Sequence, residues 1–219
     1  MRLPGHPLTD AVSDDLLSRL DDETRQRVLR YHQPERDRTL VAHAALRHLL
    51  APQLNVKPDA ITLTRRCATC GSTDHGKPSL DGVPGIEFSL SHSGDLAAVA
   101  IAGVPVGVDV ERRSPAIDWA SIRSDTFDDD EWTDDPTALT DLWSRKEAVV
   151  KATGRGMSEP LSSIRTVADG DRWYAGPITG WDLREISPSH SAAVAVVGAG
   201  PHTTPAVAML DLDELLRRG

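Results

Sequence analysis

Residues 137–153, TALTDLWSRKEAVVKAT, form an amphipathic pattern of helical length stopped by Gly154, and short strand-like runs stand on both sides of it. Runs at 86–90, 96–102 and 104–110 precede this helix, with Gly94-Asp95 fitting a hairpin turn between the first two, and runs at 162–167, 171–175, 180–186 and 191–198 come after it. Further upstream, Ser13 and the acids after it open a helix running toward Tyr31. A second helix at 36–51 buries Leu40, Ala44 and Leu50 and is closed by Pro52. A Gly-, Ser-, Thr- and Cys-rich loop covers 61–82, a short helix 118–123, and a last helix 211–217. Helices, strands, helix, then strands is the order of an α+β fold. It leaves room for a duplicated architecture, although no sequence repeat is visible.

The chain of 219 residues can bury a core without disulfides, and 39% apolar against 26% charged residues is the balance of a globular protein. Mean hydropathy is −0.31, and no apolar run approaches the roughly 18 residues of a membrane span. The opening MRLPGHPLTDAVSDD lacks the apolar stretch of a secretion signal, and there are two cysteines, which together lead us to expect a cytoplasmic protein. A net charge of −9 argues against bulk nucleic-acid binding. That charge is uneven. Six arginines between Arg25 and His48 face two acids, a segment able to hold polyanions, whereas ten acids between Asp109 and Asp135 face three arginines, a segment able to hold a cation. Solvated faces are the plain alternative for both.

In Val106-Gly107-Val108-Asp109-Val110-Glu111 the alternation of a strand puts both carboxylates on one face. Acids at i and i+2 repel unless a proton or cation intervenes, and oxygen-only ligands suit Mg²⁺ or Mn²⁺. An exposed strand edge carries such acids harmlessly. On the long helix Glu147 and Lys151 are spaced for a surface ion pair. The apolar neighbours Trp143, Ala148 and Val149, and the adjacent Lys146, make a packed Lys-Glu-x-x-x-Lys cluster instead, able to supply a third metal oxygen and a proton-handling lysine. Phe88-Ser89-Leu90-Ser91-His92-Ser93 lacks the context of a nucleophilic serine and reads better as a phosphate contact. Lys77 in Gly76-Lys77-Pro78 is a further phosphate candidate. Cys67-x-x-Cys70 followed by His75 is half of a zinc ribbon with no second cysteine pair; His75 and an acid such as Asp74 could complete the ligands, or the thiols are free in a loop.

In order and spacing, Gly76-Lys77-Pro78, Ser91-His92-Ser93, Gly107-Val108-Asp109-Val110-Glu111 and Trp143-Ser144-x-Lys146-Glu147-Ala148-x-x-Lys151-x-x-Gly154 resemble the Sfp-type 4′-phosphopantetheinyl transferases. The likeness runs from the Arg38-Thr39-Leu40 helix through Pro160-Leu161, and the rest of the chain matches only in strand content. It implies a monomeric pseudo-dimer of two similar α/β subdomains, 1–104 and 105–219, with coenzyme A in the cleft between them. It implies transfer of the phosphopantetheine arm of coenzyme A to a serine of apo acyl or peptidyl carrier proteins, with release of 3′,5′-adenosine bisphosphate. By this resemblance Asp109, Glu111 and Glu147 would hold Mg²⁺, Glu147 or a metal-held water would take the serine proton, and Lys151 would assist the leaving phosphate. Arg38, Arg47, Lys77, Ser91, His92 and Lys146 would meet the coenzyme's phosphates. The Cys67-x-x-Cys70 insertion departs from the pattern, and Glu131 stands where the family often has an acid of open role. Two other readings use the same residues: a Mg²⁺-dependent hydrolase of nucleotides or of the coenzyme A pyrophosphate, and a catalytically silent carrier-binding module.

Overall fold

In the computed structural model, which describes residues 1–114, 116–156, 160–184, 186–200 and 203–217, the expected N-terminal helix is two. α1 (Asp10–Ser18) starts at Thr9, whose hydroxyl accepts the Val12 N–H, rather than at Ser13. The chain breaks after Arg19 because Asp21 caps a new helix, α2 (Asp22–Val28), by accepting the Thr24 N–H. α3 (Glu35–Leu54) runs through Pro52, which removes only a bond of the last turn, and ends at Asn55 in a left-handed conformation. One side of α3 packs Leu40, Val41 and Ala44 against Leu16, Leu20 and Val28 of the preceding helices; farther along, Leu46 and Leu50 pack on Ile61, Leu63 and Phe88.

The Cys-rich loop closes on itself through the short pair β1 (Thr64–Arg65) and β2 (Pro78–Ser79). β3 (Glu87–Ser93) and β4 (Leu96–Ala102) form the expected hairpin, turning at Gly94-Asp95. β5 (Val106–Arg112) begins two residues later than its apolar run suggested. A 3₁₀ turn and α4 (Arg123–Thr126) come next, then α5 (Pro136–Thr153), with Asp135 as N-cap and Gly154 as left-handed C-cap. The span expected as a strand at 162–167 opens in a 3₁₀ turn (Leu161–Ser163) and runs on without regular structure until Val167, and the strands there and after are β6 (Val167–Asp169), β7 (Arg172–Ala175), β8 (Ile178–Asp182) and β9 (His190–Val197). Residue 185 of the expected 180–186 run lies outside the described residues. α6 (Leu212–Arg217) ends the description and docks Leu215 into the core around α1 and α3. The fold is α+β, as the order of elements predicted.

Strands β5-β9-β8-β7-β6 make one antiparallel sheet, and the β3–β4 hairpin lies at its β5 edge. The join between them is made by side chains. The hydroxyls of Ser89, Ser91 and Ser93 accept the N–H groups of Val108, Val110 and Arg112 at 3.0, 3.3 and 3.0 Å, in a constant offset that runs β3 parallel to β5. Three serines at alternate positions thus satisfy the edge of β5 where a backbone ladder would otherwise stand.

α5 lies across β5 and β9. Ala148, Val149 and Ala152 pack on Trp173, Ile178, Ala193 and Ala195. At the crossing, a Cβ on Gly107 would sit 1.9 Å from the Ala148 carbonyl oxygen, so only glycine lets helix and strand approach this closely. Arg145 holds Asp182 of β8 through two bonds of 2.9 and 2.6 Å, fixing how the helix is rotated. Two residues beyond Gly107, Asp109 is thereby brought beside the face of α5 that carries Lys151.

Candidate active site

Asp109 is 1% exposed. Its Oδ1 accepts from Lys151 Nζ at 2.6 Å and from Ser91 Oγ at 2.9 Å, and Ser91 is in turn 3.0 Å from Lys151. Its Oδ2 is buried without a hydrogen-bond partner. A buried, unsatisfied carboxylate oxygen is costly, and in an acidic site a cation is one group able to satisfy it. Glu111, two residues along the same face, accepts from Ser93 Oγ at 2.9 Å. Burial, reinforced by the neighbouring charge of Asp109, pushes the Glu111 carboxyl up to about 7, against the lowering effect of Ser93, Lys151 and Trp143. Burial and Asp109 also raise Glu147, against the pull of Lys151. Three carboxylates share one ammonium here. Their oxygens are not gathered within 4.8 Å of one another, yet the donor set, all oxygen with one orphan atom, fits a hard divalent cation such as Mg²⁺ or Mn²⁺.

Glu147 and Lys151 reach the wall of a cleft of about 790 Å³ bounded by α2, α3, the Cys-rich loop, β3 and α5. That volume is ample for a large cofactor-sized ligand. His92 lines it, with Nε2 3.4 Å from Thr39 Oγ1 and Nδ1 3.5 Å from Glu35; burial lowers its pKa, partly offset by Glu35. Lys77 lines it too, but its ammonium bonds the Val106 carbonyl at 2.9 Å and approaches Glu87 at 3.6 Å, and burial lowers its pKa. His43, at the cleft's base, is driven down to about 3 by burial and then by Arg47 and Arg65, and is a neutral imidazole at physiological pH.

The comparisons with known proteins bear directly on this arrangement. Residues 105–196, which hold all three carboxylates and Lys151, match the 4′-phosphopantetheinyl transferase superfamily. A 4′-phosphopantetheinyl transferase of Bacillus subtilis is 29% identical over 96% of both chains. The transferase ffp of the same species is 30% identical over 75% of this chain and 74% of its own length, and HetI of Nostoc is 30% identical over 85% and 82%. This chain belongs to the 4′-phosphopantetheinyl transferases.

In this transferase the residues expected to meet coenzyme phosphates are dispersed. Lys77 and His92 line the cleft with Glu147 and Lys151, whereas Arg38, Arg47, Ser91 and Lys146 do not. Lys146 is 0% exposed, and its ammonium is saturated by Glu131 at 2.6 Å, the Thr126 carbonyl at 2.9 Å and the Leu161 carbonyl at 3.1 Å. It has no proton left for a phosphate, which corrects the expectation and gives Glu131 its role as that lysine's counter-charge. Arg47 is likewise 0% exposed, ion-paired with Asp21 and bonded to Thr24 at 3.0 Å. Arg38 bonds the Gly94 carbonyl at 2.8 Å, bracing the β3–β4 turn. Ser91 is buried between Asp109 and Lys151 and orients them.

The cations that do line the cleft include Arg27, Arg65 and Arg155, and Tyr31 stands among them. Sequence reasoning set Arg27 within the basic run but gave Arg65 and Arg155 no role. The available signal was their position flanking two motifs, Arg65 two residues before Cys67 and Arg155 just after the Gly154 cap. At the cleft's rim, the backbone N–H groups of Cys70 and Thr69 hold the Cys67 thiol down to about 6.

Proposed function

We propose that this transferase moves the 4′-phosphopantetheine arm of coenzyme A to a serine of apo carrier proteins of the acyl, peptidyl or polyketide type, in a Mg²⁺-dependent reaction, acting as a cytoplasmic monomer divided near residues 104–105. The observation that carries the reading is the buried Asp109, one oxygen held by Lys151 and Ser91 and the other unpartnered, behind a basic cleft of about 790 Å³. Asp109, Glu111 and Glu147 would hold Mg²⁺, which when bound would supply charge neutralisation for the pyrophosphate.

This chain's own residues supply the rest. Arg27, Arg65 and Arg155 give the cleft wall the positive charge that a ligand with a pyrophosphate and a further phosphate requires. Ser91 and Ser93 hold Asp109 and Glu111 in place before any ligand enters. Glu147, its pKa raised by burial and Asp109, is poised to accept the proton of an incoming serine hydroxyl. Lys151, whose side chain is 29% exposed, can stabilise or protonate the departing phosphate oxygen. His92 offers its imidazole to a second phosphate, which would favour its protonated form.

The test is intact-protein mass spectrometry of apo carriers after incubation with the transferase, coenzyme A and Mg²⁺, with a chelator control. A gain of one phosphopantetheinyl arm, abolished by chelation, is expected. Coenzyme A consumed with no gain on any carrier would instead indicate hydrolysis by the same carboxylates.

A further inference from the structure

The Cys-rich loop brings together a second group of donors that the transferase reading does not use. Cys67, Cys70 and His75 each offer one ligand atom, and these atoms lie within 4.8 Å of one another, the one such group of His, Cys, Asp and Glu side chains among the described residues. Both cysteines are free thiols. Cys70 Sγ and His75 Nε2 are 3.4 Å apart. Zinc bonds of about 2.3 Å to sulfur and about 2.05 Å to nitrogen, at a tetrahedral angle, place those two atoms about 3.5 Å apart. The spacing is that of the edge of a metal tetrahedron.

The backbone is arranged to hold this geometry. Cys67 N–H donates to the Ser72 carbonyl at 2.8 Å and Gly71 N–H to the Cys67 carbonyl at 2.9 Å, folding the Cys67–Cys70 segment into a tight knuckle. The loop is anchored at both flanks: Arg27 bonds the Asp74 carbonyl at 2.8 Å and Arg65 the Gly76 carbonyl at 2.9 Å. Asp74, weighed in the sequence as a further ligand, is outside the group and contributes its backbone oxygen to Arg27 instead.

We infer that Cys67, Cys70 and His75 form a binding site for a thiophilic divalent cation of the zinc class, with three protein ligands and a fourth position for water or another donor from the cleft. Two thiolates and an imidazole select zinc over magnesium, which takes oxygen ligands, so the site is chemically distinct from the carboxylates around Asp109. Three protein ligands leave a coordination position open, unlike a closed four-ligand structural site. All three ligands line the same cleft as Glu147 and Lys151. The metal would therefore fix one wall of that cleft and the approach to Lys77, which lies two residues after His75.

The experiment titrates Co²⁺, and separately Zn²⁺, into the reduced full-length protein, following thiolate-to-cobalt charge-transfer absorption and metal content by mass spectrometry. One equivalent is expected, with a tetrahedral cobalt spectrum. Cys67→Ser, Cys70→Ser and His75→Ala should each weaken binding by more than the roughly 10–100-fold that loss of an outer partner costs. Asp109→Asn should leave the cobalt spectrum intact, which separates this site from the acidic one. Circular dichroism of Cys70→Ser, altered at an exposed position, checks that the variant is folded. A reduced, folded wild-type protein that takes up neither metal, or a thiolate band that survives in both cysteine variants, would overturn the inference.

Discussion

Lys146 and Lys151 sit five residues apart on one helix, each paired with a carboxylate at 2.6 Å, and they do opposite things. Lys146 is sealed, its three protons met by Glu131 and two backbone carbonyls. Lys151 is paired with a carboxylate whose second oxygen has no partner, and its ammonium faces the cleft. A saturated pair is finished and serves the fold. An unsaturated pair at a cavity wall has bonding capacity left over, and that remainder is what a ligand or metal can use.

Four measurements test that contrast, from the largest effect to the smallest. Lys151→Met should lower kcat for carrier modification by about 10²–10³-fold, the size seen when one charge-stabilising donor is removed, and Glu147→Gln should fall as far. Equal turnover by either variant would erase the distinction. Lys146→Met should leave turnover per folded molecule unchanged but cost about 3 kcal/mol in urea unfolding, because Glu131 and two buried carbonyls lose their partner. Ser89→Ala should cost about 1 kcal/mol or somewhat more, since it strands the Val108 N–H at a buried seam, without touching either lysine.

The smallest effect is a slope with pH. Glu111 rises from 4.5 to about 7 in the folded protein, so between those values the native state holds a proton that the unfolded chain has released. Metal-free protein therefore loses stability as pH rises from about 5 to 7 through this group, and Glu111→Gln should flatten that decline in unfolding titrations. Protons and Mg²⁺ compete for the same oxygens, so Mg²⁺ should protect more strongly at pH 8 than at pH 6, and the variant should lose that difference.

Much of this was legible in the chain. The Gly154 stop, the Gly94-Asp95 turn and the alternation of Asp109 and Glu111 are local signals that the folded chain keeps, whereas Ser13 and Pro52, equally local, bound no helix because Thr9 caps α1 and α3 runs on to Leu54. The break at Asp21 was hidden because a capping aspartate inside an acidic, helix-prone stretch looks like another solvated residue until its side chain is seen on the Thr24 N–H. Lys146 and Arg47 are hard to read for a different reason. A lysine or arginine in a motif reads as available, and only the tertiary placement of Glu131, Thr126 and Leu161, or of Asp21, shows that its protons are taken. The same holds for Ser91, expected to meet a phosphate and found holding Asp109. Arg65 and Arg155 are the converse case, cations outside any motif that the fold delivers to the cleft.

At the seam between β3 and β5, each of Ser91 and Ser93 uses its oxygen to receive a β5 amide and its proton to hold a β5 carboxylate, so the atoms that join the hairpin to the sheet are the atoms that aim the acids. Assembly and active-site formation are therefore a single cooperative event. A β5 strand separated from its hairpin would lose the hydroxyls that orient its acids, and catalytic competence becomes a report of whether the two parts of the chain have closed on each other.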